Sequence, residues 1–257
     1  MRPRLFVPCI CLFVFSAVSI AHAHRLEPIS THFARPFAPR TGSVEMTYEY
    51  ERRRHEGLRT HLIPEAEFEL GIGRRMQISL EVPVIREKAS GEKAVYGGGH
   101  LEIGFRYLIA GGQKKSYAIS INPFVAPTTG NRRLAGDATE TGLALNFDKE
   151  FGRRAFFHGN YGWSLTVGGS EERERLFFHR SALVVPITKR WNPVVEVLGT
   201  TDTASSRSEL VVQPEIIFYV NRHWELKVGV PVGLTKASPG IGVRAQVAWI
   251  FGRKGSD

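Results

Sequence analysis

The feature of this chain that most constrains its fold is a regular alternation of apolar and polar residues. Between residues 44 and 51 the even-numbered positions are apolar and the odd-numbered positions are polar. A similar period of two runs through 76–84 and again through 243–251, close to the end of the chain. Because successive side chains of a β-strand point to opposite faces, the pattern predicts strands with one apolar and one polar face.

The N-terminus has the three regions of a secretory signal peptide. Two arginines near the start are followed by an apolar run over 5–20 and then by Ala21-His22-Ala23, a small-residue cleavage site. The apolar run is shorter than the roughly 20 residues that a membrane-spanning helix needs. We therefore predict a signal peptide over 1–23, cleaved before His24, and export of the remaining chain.

Cysteine use and charge narrow the chemistry expected after export. Cys9 and Cys11 both lie in the predicted signal peptide, so neither a disulfide nor a thiolate metal site is expected, and no cofactor is predicted. Loss of Arg2 and Arg4 with the signal peptide lowers the formal net charge from +9 to +7, and this basic excess favours contact with anionic lipopolysaccharide and phospholipid headgroups. Nucleic acid is not an expected partner of an exported protein. No later segment is apolar for the length of a membrane helix, so any membrane span must be made of strands.

Breaks of two kinds divide the rest of the chain. Short breaks rich in glycine, asparagine and basic residues lie at 71–75, 111–115, 152–154, 188–190 and 221–223. They alternate with longer polar breaks near 52–60, 86–98, 127–138, 168–175, 200–208 and 235–240. Tight turns at one end and larger loops at the other are typical of outer-membrane barrels. The strands are expected at 43–51, 61–72, 75–85, 99–109, 116–126, 140–148, 156–167, 177–187, 193–199, 209–220, 224–234 and 241–251.

The expected fold class is all-β: a single transmembrane antiparallel up-and-down β-barrel of about 12 strands over 42–251. Residues 24–41 contain three prolines without a clear period and are expected to be irregular, and 252–257 form a C-terminal tail. The last strand closes on Phe251, which resembles the C-terminal signal read by the barrel-assembly machinery. A soluble sandwich or lipocalin-like barrel, with its apolar face inward, is the alternative.

The polar faces of the predicted strands collect charged and polar residues that could line the barrel lumen. The candidates are Glu65, Glu67, Glu69, Glu81, Glu102, Arg106, His158, Glu215, Glu225, Lys227 and Arg244. In a narrow interior many of these charges should pair across strands and fill the lumen with salt bridges. The alternative is an open acidic pore that favours cations or polar neutral solutes over anions.

One short motif suggests catalysis. His179 and Ser181 lie two residues apart on one strand face, as in outer-membrane phospholipases and lipid A deacylases, where a histidine activates the serine. Those enzymes follow the serine with asparagine, whereas this chain has Ala182. A lipid hydrolase is kept as an alternative, and the protein is predicted not to be an enzyme.

Three segments resemble one known family. They are Gln213-Pro214-Glu215, the run NRHWELKVGVPVGL over 221–234, and the glycine-rich strand entry GGGHLEIGFRY over 97–107. These residues resemble outer-membrane transporters grouped with the phenol-degradation MetA-pathway family. The resemblance implies an outer-membrane barrel that takes up small aromatic or apolar compounds, and it carries over no catalytic residue.

Together these features predict a channel or transporter for small solutes in the outer membrane of a Gram-negative-type cell. The expected partners are outer-membrane lipids and lipopolysaccharide, the barrel-assembly machinery and a small-molecule solute. The alternatives are a lipid hydrolase using His179 and Ser181, or a structural barrel of the envelope.

Overall fold

The computed structural model describes residues 27–52, 59–88, 91–112, 115–169 and 174–252, without the side chains of 59–64. Within these ranges no helix is long and apolar enough to cross a membrane. The predicted signal peptide and most of the C-terminal tail lie outside the described residues. The elements are β1 Gly42–Arg52, β2 Arg59–Gly71, β3 Met76–Val82, β4 Val84–Lys88, β5 Val95–Gly98, β6 Glu102–Gly111, β7 Tyr117–Ala126, α1 Arg132–Ala135, β8 Thr139–Phe151, β9 Ala155–Val167, β10 Arg175–Val184, β11 Trp191–Asp202, β12 Ser208–Tyr219, β13 Trp224–Gly229, β14 Val232–Gly233 and β15 Ile241–Phe251.

The strands form one closed antiparallel sheet in which nearly every strand pairs with its neighbours in sequence. Three barrel strands are interrupted and are each built from two segments: β3 and β4, β5 and β6, and β13 and β14. Prolines explain two of the interruptions, because Pro83 and Pro231 lack the N–H group that a central strand position needs. Counted across these interruptions, the described residues form a closed barrel of 12 strands. The predicted fold class is confirmed.

Closure is made by the first and last strands. β1 pairs with β15 along its whole length, from Gly42 opposite Phe251 to Arg52 opposite Ile241, and its other edge pairs with β2. A closed barrel leaves no strand edge with unpaired N–H and C=O groups. Because the barrel has an even number of antiparallel strands, β1 begins and β15 ends at the same rim. We call this rim the terminal end and the opposite rim the loop end.

One predicted break is shorter than expected. The segment 86–98 was expected to be a loop, but β4 continues to Lys88 and β5 begins at Val95, and the two pair as a hairpin. The run of glycines at 97–99 concealed this strand, because glycine has no side chain to show alternation. Asn131 beside α1 explains why glycine is needed there: its backbone N–H donates to Gly98 O (2.8 Å), and a Cβ on Gly97 would collide with its side chain.

The two faces of the sheet differ in the direction expected for a membrane barrel. Large apolar side chains are exposed on the outer face, including Leu80 (37%), Leu145 (47%) and Trp163 (64%). Polar side chains such as Glu69 and Asp148 are buried on the inner face. A soluble protein would bury the first group and expose the second. A soluble sandwich or lipocalin-like barrel is therefore inconsistent with the structure.

Adjacent positions of β3 should respond differently to the same substitution. Leu80→Arg puts a charge on the apolar outer face, where arginine near the midplane of a bilayer costs about 2–4 kcal/mol of folding free energy. Ser79→Arg puts the same charge on the polar inner face. We expect Leu80→Arg alone to reduce the yield of heat-modifiable folded barrel in lipid vesicles, measured by gel mobility. Equal yields for the two variants would contradict the assignment of faces.

Candidate functional site

Residues 27–41 form a segment that we call the plug: residues 27–37 lie inside the barrel, and 38–40 are exposed at its rim. Its backbone N–H groups donate to inner-face side chains of five different strands. The pairs are Ile29 to Glu215 (3.2 Å), Ser30 to Glu196 (3.2 Å), His32 to Asn160 (2.7 Å), Ala34 to Asp148 (3.0 Å) and Phe37 to Gln77 (2.8 Å). Strands β12, β11, β9, β8 and β3 lie around most of the barrel, so a segment that reaches them all must occupy the lumen.

The plug enters from the terminal end. Arg40 lies just before the start of β1. Its N–H donates to Gly71 O (2.9 Å) at the end of β2. Further in, the plug side chains Phe33 and Phe37 are buried, and the ring of Phe33 lies 4.5 Å from that of His158. The plug therefore fills the terminal half of the lumen with both hydrogen bonds and apolar contacts.

Asp148 on β8 is a major anchor of the plug. Its two carboxylate oxygens accept the N–H groups of Ala34 (3.0 Å) and Arg35 (3.2 Å), and Oδ1 also lies 2.9 Å from His158 Nδ1. The Asp148 side chain is fully buried. Buried carboxylates need several donors, and the extended plug backbone supplies two of them in succession.

Two arginines hold Ser30 of the plug. Arg244 Nη1 donates to Ser30 Oγ (2.7 Å), and Arg180 Nη1 donates to Ser30 O (3.1 Å). Arg244 also forms ion pairs with Glu49 (2.7 Å) and Glu51 (3.2 Å) of β1. Arg244 therefore ties the closing strands β1 and β15 to the plug.

Cross-strand pairing places four glutamates in one row on the inner face. Glu45 lies opposite Glu67, Glu67 opposite Glu81, and Glu81 opposite Glu102, across β1, β2, β3 and β6. Like charges directly opposite each other are destabilising, so this row needs cations, protons or water. Lys227 supplies one cation, at 3.4 Å from Glu45.

Each of the eleven candidate residues lies on the inner face of the sheet, and the structure assigns partners that the sequence did not predict. Arg106 pairs with Glu69 (3.4 Å), Lys227 with Glu45, Arg244 with Glu49, and His158 with Asp148. Glu215 accepts a hydrogen bond from the plug, and Glu225 is buried on β13. The remaining candidates, Glu65, Glu67, Glu81 and Glu102, are half-buried. A role for any of them in solute passage stays a prediction.

Above the plug, toward the loop end, the inner face forms a more accessible region that we call the vestibule. It contains half-buried carboxylates from neighbouring strands and two aromatic rings: Glu65, Glu81, Glu102, Glu140, Phe124 and Phe178.

The two rings of the vestibule lie 6.3 Å apart and cover glycines of the barrel wall. Phe124 lies against Gly142, and Phe178 lies against Gly162, so that a Cβ at either glycine would collide with the ring. The guanidinium of Arg180 lies 5.7 Å from the Phe178 ring. The vestibule therefore combines aromatic surface with a wall of carboxylates and one arginine.

The plug contacts are what sequence reasoning missed. Asp148, Asn160, Gln77 and Glu196 carry much of the plug and were not among the candidates. Their positions on the polar faces of predicted strands gave a signal that they point inward, but nothing showed which inward residues meet the N-terminal segment.

The His179 and Ser181 motif does not form a catalytic pair among its described contacts. The Ser181 hydroxyl is hydrogen-bonded to the Tyr161 hydroxyl (3.0 Å). The His179 ring lies over Gly199 of β11, so close that a Cβ at Gly199 would collide with it. The geometry therefore does not favour a lipid hydrolase.

The barrel is similar to solved outer-membrane channels. The COG4313 outer membrane channel from Pseudomonas putida F1 has a TM-score of 0.69 at 10% identity, covering 88% of this chain and 100% of that chain. The NanC porin has a TM-score of 0.57 at 8% identity, with coverages of 81% and 98%. The KdgM porin has a TM-score of 0.55 at 12% identity, with coverages of 81% and 99%. At these identities the likeness shows the fold alone. No protein-family model and no curated protein sequence matches this chain.

Removing the Asp148 anchor should loosen the plug. Asp148→Ala removes the acceptor of two plug N–H groups, and a hydrogen bond to a charged group contributes about 1.5–3 kcal/mol. We expect chymotrypsin to cleave the folded variant after Phe33 or Phe37 at least about tenfold faster than wild type, followed by mass spectrometry. Asp202→Ala, at the loop end of β11, is the control. Equal cleavage rates for Asp148→Ala and wild type would contradict the anchoring role.

The buried Lys227–Glu45 pair should behave as a coupled unit. Lys227→Met leaves Glu45 buried without this partner, and breaking a buried pair typically costs 3–5 kcal/mol, so we expect a loss of about that size in the free energy of unfolding. Adding Glu45→Gln should recover part of the loss. Urea unfolding in lipid vesicles, analysed as a double-mutant cycle, measures the coupling. Additive effects of the two substitutions would show that the pair is not coupled.

Proposed function

We propose that this protein is an outer-membrane channel or transporter for small solutes, and that its plug must rearrange for a solute to pass. The observation that carries the proposal is the polar, hydrogen-bonded plug inside a closed barrel whose outer face is apolar. Many contacts between plug and wall are hydrogen bonds and ion pairs, which water can replace when the plug leaves. The buried rings of Phe33 and Phe37, and the packing of Ala34 against Leu108 and Ala118 of the wall, add an apolar cost to that movement.

The outer membrane is the location that best fits the molecule. The exposed apolar outer face needs a lipid environment, and the predicted signal peptide provides export. The similar solved structures are outer-membrane barrels, which supports the same location.

The residues that line the vestibule favour one class of solute. Phe124 and Phe178 offer an aromatic surface over glycine, which suits small aromatic or apolar compounds, as the resemblance to the MetA-pathway family implies. Glu65, Glu81 and Glu102 face the same space, so the field should favour cations and neutral molecules over anions. A structural barrel without transport is the remaining alternative, because the plug fills the terminal half of the lumen.

Removing the plug tests whether the lumen is a passage. In planar bilayers we expect the full processed chain to show little steady current, because the plug occludes the lumen. A variant lacking residues 27–38 should show a steady current that is cation-selective in a salt gradient. Neutralising Glu81 and Glu102 to glutamine in that variant should move the reversal potential toward zero, because these carboxylates face the vestibule.

The control for charge is Glu92→Gln in the connection between β4 and β5, which should leave the reversal potential unchanged. A correctly folded variant without the plug that still carries no current would refute the channel and favour the structural alternative. Anion selectivity would refute the role of the carboxylate wall.

A further inference from the structure

Two plug residues and one wall residue bring together potential metal ligands. Glu27 and His32 of the plug face Glu69 of β2, and one ligand atom from each side chain lies within 4.8 Å of the other two. His32 Nδ1 is 3.8 Å from Glu27 Oε1. The carboxylates of Glu27 and Glu69 are buried, whereas the His32 side chain is 31% exposed, so an ion could reach the cluster from the lumen.

The chemistry of these ligands selects a class of ion. One imidazole nitrogen and two carboxylate oxygens suit Zn²⁺ and related divalent transition metals, whereas Mg²⁺ and Ca²⁺ prefer oxygen ligands alone. Zinc bonds of about 2.0–2.2 Å require the ligand atoms to approach more closely than they do here. Rotation of the partly exposed His32 ring and of the Glu27 side chain can supply that approach, because both lie on the plug and not on the barrel wall. A water molecule would complete the coordination.

The charge around the cluster also favours a cation. Glu45, Glu67 and Glu81 lie in one cross-strand row, and Glu69 follows Glu67 by two residues on the same face of β2. Two cations pair with members of this group, Arg106 with Glu69 and Lys227 with Glu45. Buried carboxylates are unfavourable unless cations or hydrogen-bond donors balance them, and a metal ion bound here would add to that balance. Arg106 and Gln77 both donate to Glu69 Oε1, Ser43 donates to Glu69 Oε2, and Phe33 N donates to Glu27 Oε1. A carboxylate offers about four acceptor sites, so each can bind a metal ion as well.

We propose that a divalent transition metal ion binds between Glu27, His32 and Glu69 and latches the plug to the barrel wall. Two ligands belong to the plug and one belongs to β2, so the complete site exists only while the plug is in place. By linkage, an ion that binds only the plugged state stabilises that state. This inference goes beyond the proposed function, because it concerns what holds the plug and not which solute passes.

Binding is tested with Zn²⁺ on the folded, detergent-solubilised processed chain after treatment with EDTA. Isothermal titration should show one saturable site. His32→Gln and Glu27→Gln should each weaken binding at least about tenfold, since each removes a direct ligand. Both substitutions lie in the plug, so the barrel should still assemble. The matched control is His223→Gln in the turn before β13, which should bind Zn²⁺ as wild type does. Absence of saturable binding, or equal affinity in His32→Gln, would overturn the site.

The latch is tested with a thiol reporter, which does not depend on conduction. Ala34 is fully buried in the plug, and the processed chain has no cysteine, so Ala34→Cys should react with a maleimide only when the plug moves. Zn²⁺ should slow this reaction at least about tenfold, and EDTA should restore it. In the His32→Gln background Zn²⁺ should have no effect. Binding without slower labelling, or protection that persists in His32→Gln, would overturn the latch. Neither result depends on whether the lumen conducts.

Discussion

The pairing of β1 with β15 is the constraint on which the rest of the structure depends. It turns a sheet with two open edges into a ring in which every strand has two neighbours. Once the ring is closed, the period of two assigns each residue to one of only two environments. The outer face needs apolar side chains because lipid offers no hydrogen bonds, and the inner face can hold polar groups only if they find partners.

The enclosed lumen is narrow, so its charged side chains lie close together and need partners. The structure supplies these partners in two ways. Some charges pair across strands, as Lys227 does with Glu45 and Arg106 with Glu69. Other acceptors bind the plug, whose backbone N–H groups reach Asp148, Asn160 and Glu196. The plug is therefore an integral part of the barrel, because the inner face depends on the plug for many hydrogen bonds.

The glutamate row from Glu45 to Glu102 connects the plug to the vestibule. At one end of the row Glu45 is buried and paired with Lys227. Toward Glu102 the carboxylates are half-buried and lie on the inner face. The same concentration of carboxylates therefore supports two proposals. It should attract cations into the vestibule, and it can hold a metal ion where Glu27 and His32 of the plug meet Glu69.

The sequence by itself determined the class of fold, the approximate strands and which side chains point inward. These follow from local alternation, so Leu80 and Glu81 could be assigned to opposite faces without any structure. The partners of the inward residues could not be predicted, because pairing depends on the register between strands and on the route of the plug. Residues 27–41 have no period, and their place in the lumen is decided by acceptors from five strands that meet only after closure. For the same reason, Glu69, which is distant in sequence from Glu27 and His32 of the plug, becomes their neighbour only in the tertiary structure.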